Sequence, residues 1–330
     1  MRPTTQERFR GAMVGVLCGD AVAAPLENKT AATIQAELAS HGGLLDMRDY
    51  IEPWKKKRHV TAGSPTDDSE LAAALGLGLA STQAFDASDI YWRLRDFIHG
   101  NTPAGRRSVL TQGKAYGMGG TLLAALRPET YEDSRAAFGR GEIPIVPTNG
   151  SLMRAAAVSL RYHRDVASLV TYARWQSCIT HMHPTAQAAC IAYTLLVSLV
   201  LDGLDVPTAW SLTQQILSRP PYKDIPELSA VLDIDTSQPD DSVIWPYTGS
   251  VTVSLRVALW AALSAEDFRA GITKATLVGG DTDTYAAIAG GILGARFGVE
   301  GIPSAWVDVL QGREIMLEIA DRLYDLSSNV

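Results

Sequence analysis

The sequence predicts an all-α fold in a single domain spanning residues 1–330. Three observations carry this: apolar residues recur at helical spacing about a dozen times, strand-like alternation is nearly absent, and no linker or compositional shift divides the chain. With 330 residues, 46% of them hydrophobic and 20% charged, the chain has enough apolar surface for one large core. A net charge of −7 argues against nucleic acid as the main partner, because tracking a phosphate backbone needs an excess of Lys and Arg. Cys18, Cys178 and Cys190 are odd in number and lack CxxC spacing, as expected of reduced thiols in a cytoplasmic chain. The first ten residues hold no apolar h-region, Asp20 interrupts the apolar run that follows, and no stretch reaches roughly 18 uninterrupted apolar residues. Neither a signal peptide nor a membrane partner is expected.

Taken in order, Gly11, Gly15 and Gly19 form a small-residue stripe on an apolar helix, a surface that admits a second backbone at close range. Asp20 and Glu27 stand at the end of that helix, an expensive place for carboxylates unless they are exposed or paired. A short helix around Thr33 to Ala39 precedes a long loop to residue 65 whose Lys55–His59 run reads as a solvated face. Thr66-Asp67-Asp68 then opens a helix from Ser69 to Ala80, where acidic residues in the first turn also suit the helix dipole. Asp89 to His99 is an amphipathic helix, and the glycines at 113–120 form a loop into a helix at Leu122–Leu126, without Rossmann or P-loop spacing.

Pro144 and Pro147 forbid a helix before Asn149-Gly150-Ser151, which reads as a turn and N-cap for a helix to about Arg161, its free N–H groups able to hold a phosphate or sugar hydroxyl. Ser168 to Val200 reads as two helices broken at Thr180-His181-Met182-His183-Pro184. Two histidines at i, i+2 with no third soft ligand argue for a polar turn with one His facing a pocket rather than for zinc. Helices are expected at Val206–Leu217, near Leu228, at Gly249–Leu263, at Ala265–Thr276 and at Ser304–Leu326.

The densest chemistry lies at Gly279-Gly280-Asp281-Thr282-Asp283-Thr284, just before a helical run, Ala286–Gly298, that repeats the four-residue stripe with Gly290, Gly294 and Gly298. Carboxylates and hydroxyls at a helix start are ligands for a hard cation. Thr66-Asp67-Asp68-Ser69 has the same chemistry, and only the fold can bring the two clusters together.

Five motifs in order, Gly19-Asp20-x6-Glu27, Thr66-Asp67-Asp68, Asn149-Gly-x-x-Met-Arg154, Thr180-His-x-His-Pro184 and Gly279–Thr284, resemble the ADP-ribosylglycohydrolase family, the relatives of dinitrogenase reductase-activating glycohydrolase, over about residues 8–310. The resemblance implies a compact orthogonal helical bundle with a binuclear metal cleft holding two Mg²⁺ ions, with Mn²⁺ as the alternative. It implies Thr66, Asp67, Asp68 and Asp283 on one ion and Asp281, Asp283 and Thr284 on the other, Asp283 bridging. It further implies attack of a metal-activated water at C1″ of the distal ribose, with Glu27, Asp68, Asp281 or Asp283 as the catalytic carboxylate and Glu27 equally a gate over the metals. Asn149, Gly150, Ser151, His181, His183 and Gly249 would line the diphosphate and ribose. Two departures stand out: Ala23 and Ala24 replace a glycine usual before the glutamate, and Ser250 stands where an aromatic follows Gly249, with Tyr247 or Trp245 as replacements.

The expected function is therefore hydrolytic release of ADP-ribose from modified protein side chains, arginine first because the Thr-His-x-His-Pro form looks bacterial. The expected partners are an ADP-ribosylated protein, free ADP-ribose and an ADP-ribosyltransferase toxin. The competing expectation is a non-catalytic guard that binds ADP-ribose, an ADP-ribosylated protein or a transferase.

Overall fold

The computed structural model describes residues 2–40, 42–51, 59–99, 110, 117–246 and 248–328. Among them the helices are α1 (Thr5–Ala23), α2 (Ala31–Ser40), α3 (Asp67–Ser81), α4 (Ala87–His99), α5 (Gly120–Leu126), α6 (Tyr131–Gly139), α7 (Ala156–Arg161), α8 (Val166–Cys178) and α9 (Pro184–Leu201). They continue with α10 (Val206–Leu217), α11 (Leu228–Leu232), α12 (Asp241–Ile244), α13 (Val251–Leu263), α14 (Phe268–Leu277), α15 (Thr282–Phe297), α16 (Ser304–Val307) and α17 (Arg313–Ser328). One antiparallel pair, β1 (Tyr50–Ile51) and β2 (His59–Val60), closes part of the loop before α3. The expected all-α class holds. The basic run at 55–58, the glycine loop at 113–116 and Tyr247 lie outside the described residues.

The two glycine stripes meet each other. A Cβ on Gly11 would come 2.2 Å from the Gly294 carbonyl oxygen, one on Gly15 2.2 Å from that of Gly290, and one on Gly19 2.0 Å from that of Ala286. The register is antiparallel, so the C-terminal end of α1 lies at the N-terminal start of α15. Only hydrogen atoms fit at these crossings, and backbone contact replaces side-chain packing. Around this pair one continuous apolar core collects Phe9, Met13, Leu17, Tyr193, Phe268, Trp306 and Met316 from five helices.

Spans Thr5–Leu26 and Pro184–Leu201 are long and apolar enough on average to cross a membrane, although neither is an uninterrupted apolar run. Of the most apolar 18-residue window in each, 94% and 83% is buried inside the protein. They are core helices, apolar on all sides because protein surrounds them.

Several element boundaries depart from the sequence reading. The single helix expected from Ser304 is two, α16 and α17, because Gly312 adopts φ +88° between them. The helix expected from Ser151 begins only at Ala156, after consecutive turns in which Leu152 N–H and Met153 N–H both donate to the Asn149 carbonyl. α14 starts at Phe268 because the Asp267 side chain accepts from Ala270 N–H. α6 and α12 were not anticipated; each is capped by a side chain, Thr130 and Asp240.

Candidate metal centre

The antiparallel pairing of α1 with α15 brings Asp20, in the last turn of α1, to Asp283, in the first turn of α15. Asp20 is fully buried and organises the start of α3. Its Oδ2 accepts from Thr66 N–H at 2.9 Å and from Ser69 N–H at 3.2 Å, and its Oδ1 accepts from the Thr66 hydroxyl at 2.8 Å. The Ser69 hydroxyl donates to the same carboxylate. Asp20 thus satisfies N–H groups that a helix start leaves open, and holds Asp67 and Asp68 in the first turn against the core.

A second clip positions Asp281. Asn28 N–H donates to the Gly280 carbonyl at 2.7 Å and Gly280 N–H to the Lys29 carbonyl at 2.9 Å. Gly279 and Gly280 adopt φ of +81° and +79°, and a Cβ on Gly279 would lie 2.6 Å from the Lys29 carbonyl oxygen. The glycine pair is therefore required both by its backbone conformation and by the strand-like bridge it makes. The clip sets half-buried Glu27 beside Asp281. Asn149 completes the arrangement from a third region, its Nδ2 donating to Asp281 Oδ2 at 2.6 Å and to Ser254 Oγ at 2.9 Å. Asn149 is fixed in turn by its N–H to the Gly249 carbonyl, 3.2 Å, and by Val251 N–H to the Pro147 carbonyl, 2.9 Å.

Carboxylate oxygens of Asp20, Asp68 and Asp283 lie within 4.8 Å of one another, and so do those of Glu27, Asp281 and Asp283. Asp283 is common to both groups. Burial, and then the neighbouring carboxylates, push Asp67, Asp68 and Asp283 well above the usual carboxylate range. Burial also raises Asp281, and lifts Asp20 to about 6 against the hydrogen bonds it accepts. Asp68 Oδ1 is buried with no hydrogen-bond partner, and no salt bridge reaches any of these five aspartates among the described residues. Buried negative charge without a cationic side chain, presented as oxygen donors with one carboxylate shared, fits hard divalent cations.

The remaining sequence candidates fall in different places. The Thr66 hydroxyl is held between Asp20 and Asp68 Oδ2, 3.1 Å. Thr284 N–H donates to Asp283 Oδ1 at 3.0 Å, and its hydroxyl lies against Asp68 and Asp281. Asp67 is buried but stands outside both oxygen groups, with Gly117 close against it. His181 is buried against Gly150, where a Cβ would meet its Cε1 at 2.8 Å. The expectation that Ser151 faces a ligand is corrected for its side chain. Ser151 Oγ is fully buried and paired with Ser177 Oγ at 2.9 Å, while His183 Nδ1 accepts from Thr185 N–H at 3.2 Å and caps α9. Gly249 contributes its carbonyl to the Asn149 clip. Ser250 pairs with Thr252 at 3.0 Å, and Trp245 packs half-buried against the core. Asp20 as the anchor of α3 and Ser254 as the support of Asn149 were not assigned from the sequence. Gly-Asp at the end of an apolar helix was the available signal for the first, and none marked the second.

The sequence model of the ADP-ribosylglycohydrolase family matches residues 1–330. The chain belongs to the ADP-ribosylglycohydrolase family. Among its relatives, ADP-ribosyl-[dinitrogen reductase] glycohydrolase of Rhodospirillum rubrum is 24% identical, with 96% of each chain covered. An ADP-ribosylarginine hydrolase of Serratia proteamaculans is 24% identical over 96% of this chain and 79% of the relative. An ADP-ribosylhydrolase of Mus musculus is 27% identical over 97% and 93%. A solved structure described as an ADP-ribosylglycohydrolase-related protein complex superposes with a TM-score of 0.73 at 25% identity, covering 98% of this chain and 99% of that one. At the level of its family the chain is thus an ADP-ribosyl hydrolase, of a family that is metal-dependent and acts on ADP-ribosylated substrates such as proteins.

Proposed function

We propose that this chain removes ADP-ribose from ADP-ribosylated arginine side chains of proteins, using two magnesium ions. The observation that carries the reading is the shared Asp283, buried between two groups of carboxylate oxygens drawn from α1, α3 and the 27–30 and 281–284 segments. Asp68 and Asp283 would hold one ion with Thr66 and Asp67 around it, and Asp281, Asp283 and Thr284 the other. When bound, the ions supply positive charge for the distal-ribose hydroxyls and acidity for the attacking water. Manganese is the alternative with the same oxygen preference. The arginine linkage is supported by the Serratia proteamaculans relative, named an ADP-ribosylarginine hydrolase.

The chain's own groups have distinct tasks. Glu27 is half-buried at the edge of the Asp281–Asp283 group, so its carboxylate combines proximity with access. It takes the proton of the water that bonds to C1″ and delivers that proton to the arginine nitrogen as the C1″–N bond breaks. Asn149 keeps Asp281 aimed at the cleft, and Asp20 keeps α3 in place. Release of free ADP-ribose is measured from arginine-modified and serine-modified protein, with magnesium, with manganese and with chelator. Metal-dependent release from the arginine substrate is expected. Binding of ADP-ribose without release from either substrate would replace the hydrolase by a binder.

A further inference from the structure

Arg154, in the turns before α7, is fully buried and has no carboxylate partner among the described residues. Its Nε donates to Gln176 Oε1 at 3.0 Å, its Nη1 to the Gly150 carbonyl at 3.2 Å, and its Nη2 to the Gln176 carbonyl at 2.8 Å and to Thr180 Oγ1 at 2.9 Å. A buried guanidinium satisfied only by neutral acceptors is costly, and its geometry must do something that an apolar residue of similar volume would not. All four acceptors belong to the two segments that frame His181, residues 176–180 and Gly150.

Thr180 Oγ1 lies 2.8 Å from His181 Nδ1. A hydroxyl has one proton, and Arg154 has only protons to give, so Arg154 takes up an acceptor site on Thr180. The other neighbour of the Thr180 oxygen among the described residues is Nδ1. If Nδ1 carried the ring proton, the buried Thr180 hydroxyl would be left without an acceptor, at about 1–3 kcal/mol. The Thr180 proton therefore goes to Nδ1, and the ring proton resides on Nε2. The peptide of His181 is fixed as well, its N–H donating to the Ser177 carbonyl at 2.7 Å and its carbonyl accepting from Ser177 Oγ at 3.1 Å. Among the described residues Nε2 has no hydrogen-bond partner, and it lies 3.0 Å from where a Gly150 Cβ would be. Gly150 follows directly on Asn149, the residue that holds Asp281.

We propose that Arg154 is a positioning residue: acting through Thr180, it locks His181 as a neutral Nε2–H donor for an oxygen of the ADP-ribose lying against Gly150. The proposal rests on the reading of function above for its ligand, though not for its tautomer. Burial, and then the Arg154 charge, also hold His181 down to about 3, so the ring is neutral whenever the enzyme works near neutrality. A neutral donor orients a sugar or phosphate oxygen without adding a second positive charge beside the cations.

The test is a ¹⁵N–¹H correlation spectrum of the ¹⁵N-histidine-labelled full chain at pH 7, with the His181 signals assigned by their loss in His181→Gln. Wild-type protein is expected to show protonated Nε2 and unprotonated Nδ1, and added ADP-ribose is expected to move the Nε2–H resonance. Thr180→Val, which removes the hydroxyl and keeps the shape, is expected to shift the ring towards the Nδ1–H form and to raise KM for the ADP-ribosylated substrate about tenfold, more than it lowers kcat. Thr180→Ser is expected to restore both. A wild-type ring protonated at Nδ1, an unchanged tautomer in Thr180→Val, or an Nε2–H resonance indifferent to ADP-ribose would each overturn the proposal. Loss of thermal stability in Thr180→Val with tautomer and KM intact would make the network merely structural. Absence of turnover in the wild type would count against the functional reading, and the spectra alone would then decide the role of Arg154.

Discussion

Asp283 has the sharpest conflict between stability and function. It belongs to both oxygen groups, is buried, and faces Glu27, Asp68, Asp281 and Asp20. Asp283→Asn keeps the shape and removes one charge, so hydrolysis is expected to fall to background while chelator-treated protein melts roughly 2–4 °C higher, the shift about 1 kcal/mol produces in a large domain. Melting curves in chelator check this, and a variant that melts lower than wild type would show that the carboxylate stabilises the bare fold. Asn149 acts one step out. Asn149→Ala leaves Asp281 without its 2.6 Å donor, and magnesium affinity is expected to drop about 10–100-fold, read by titration followed calorimetrically. Unchanged affinity would assign Asn149 to the backbone clip alone. Asp67, Asp68, Asp281 and Asp283 were legible in the sequence because they stand at helix starts beside hydroxyls, whereas Asp20, in the last turn of α1, had no such neighbours to mark its part. Ser151 misled because polarity beside a turn does not say which way a side chain points: it turns into the core between Ser177 and Cys190.

At the scale of elements, the pairing of α1 with α15 is the feature on which the site depends. Gly15→Ala would improve helix propensity by about 1 kcal/mol, yet it places a methyl 2.2 Å from the Gly290 carbonyl oxygen, which no rotamer change relieves. A net destabilisation of about 1–3 kcal/mol is expected, together with weaker magnesium binding as Asp20 and Asp283 move apart. Gly139→Ala in α6 is the control, since nothing lies within 4 Å of a Cβ there and no clash is created. Denaturant unfolding of both variants decides: equal stability would mean that the α1–α15 crossing can widen at no cost. Both stripes were visible as glycines at four-residue spacing, and the sequence implied close approach. Their mutual register was not legible, because any two such stripes satisfy the same spacing. Short helices escaped for a related reason. α12 spans Asp241–Ile244 and α6 is largely polar, so neither offers enough turns for periodicity to register, and their capping side chains are the only local signal.

For the whole molecule, folding and metal binding are one linked equilibrium, because residues far apart in sequence become a cluster of buried carboxylates only in the native state. That linkage is also why the sequence could present two acidic clusters without showing that they meet. In the metal-free chain Asp67, Asp68 and Asp283 are raised well above their unfolded values and Asp20 to about 6. Between pH 3.8 and those raised values the native state binds more protons than the unfolded state, so the stability these groups contribute is full below pH 3.8 and is lost as pH rises. His181, held down to about 3, and His163, lowered by burial, act in the opposite sense. Below pH 6.5 the unfolded state takes up the histidine protons first, so stability falls as pH falls towards 3. Chelator-treated protein is therefore expected to be most stable in mildly acidic solution and to weaken on either side. Cations bound at the cluster require its carboxylates ionised, so their binding releases protons and strengthens as pH rises. The rise in melting temperature on adding magnesium is thus expected to grow steadily from pH 5 to pH 8, reaching the equivalent of about 2.7 kcal/mol where magnesium exceeds its dissociation constant a hundredfold. Melting curves with and without magnesium across that range measure it directly. An increment that stays constant with pH would mean that the cations do not engage the buried carboxylates, and would separate metal binding from the cluster formed by Asp20, Asp68 and Asp283.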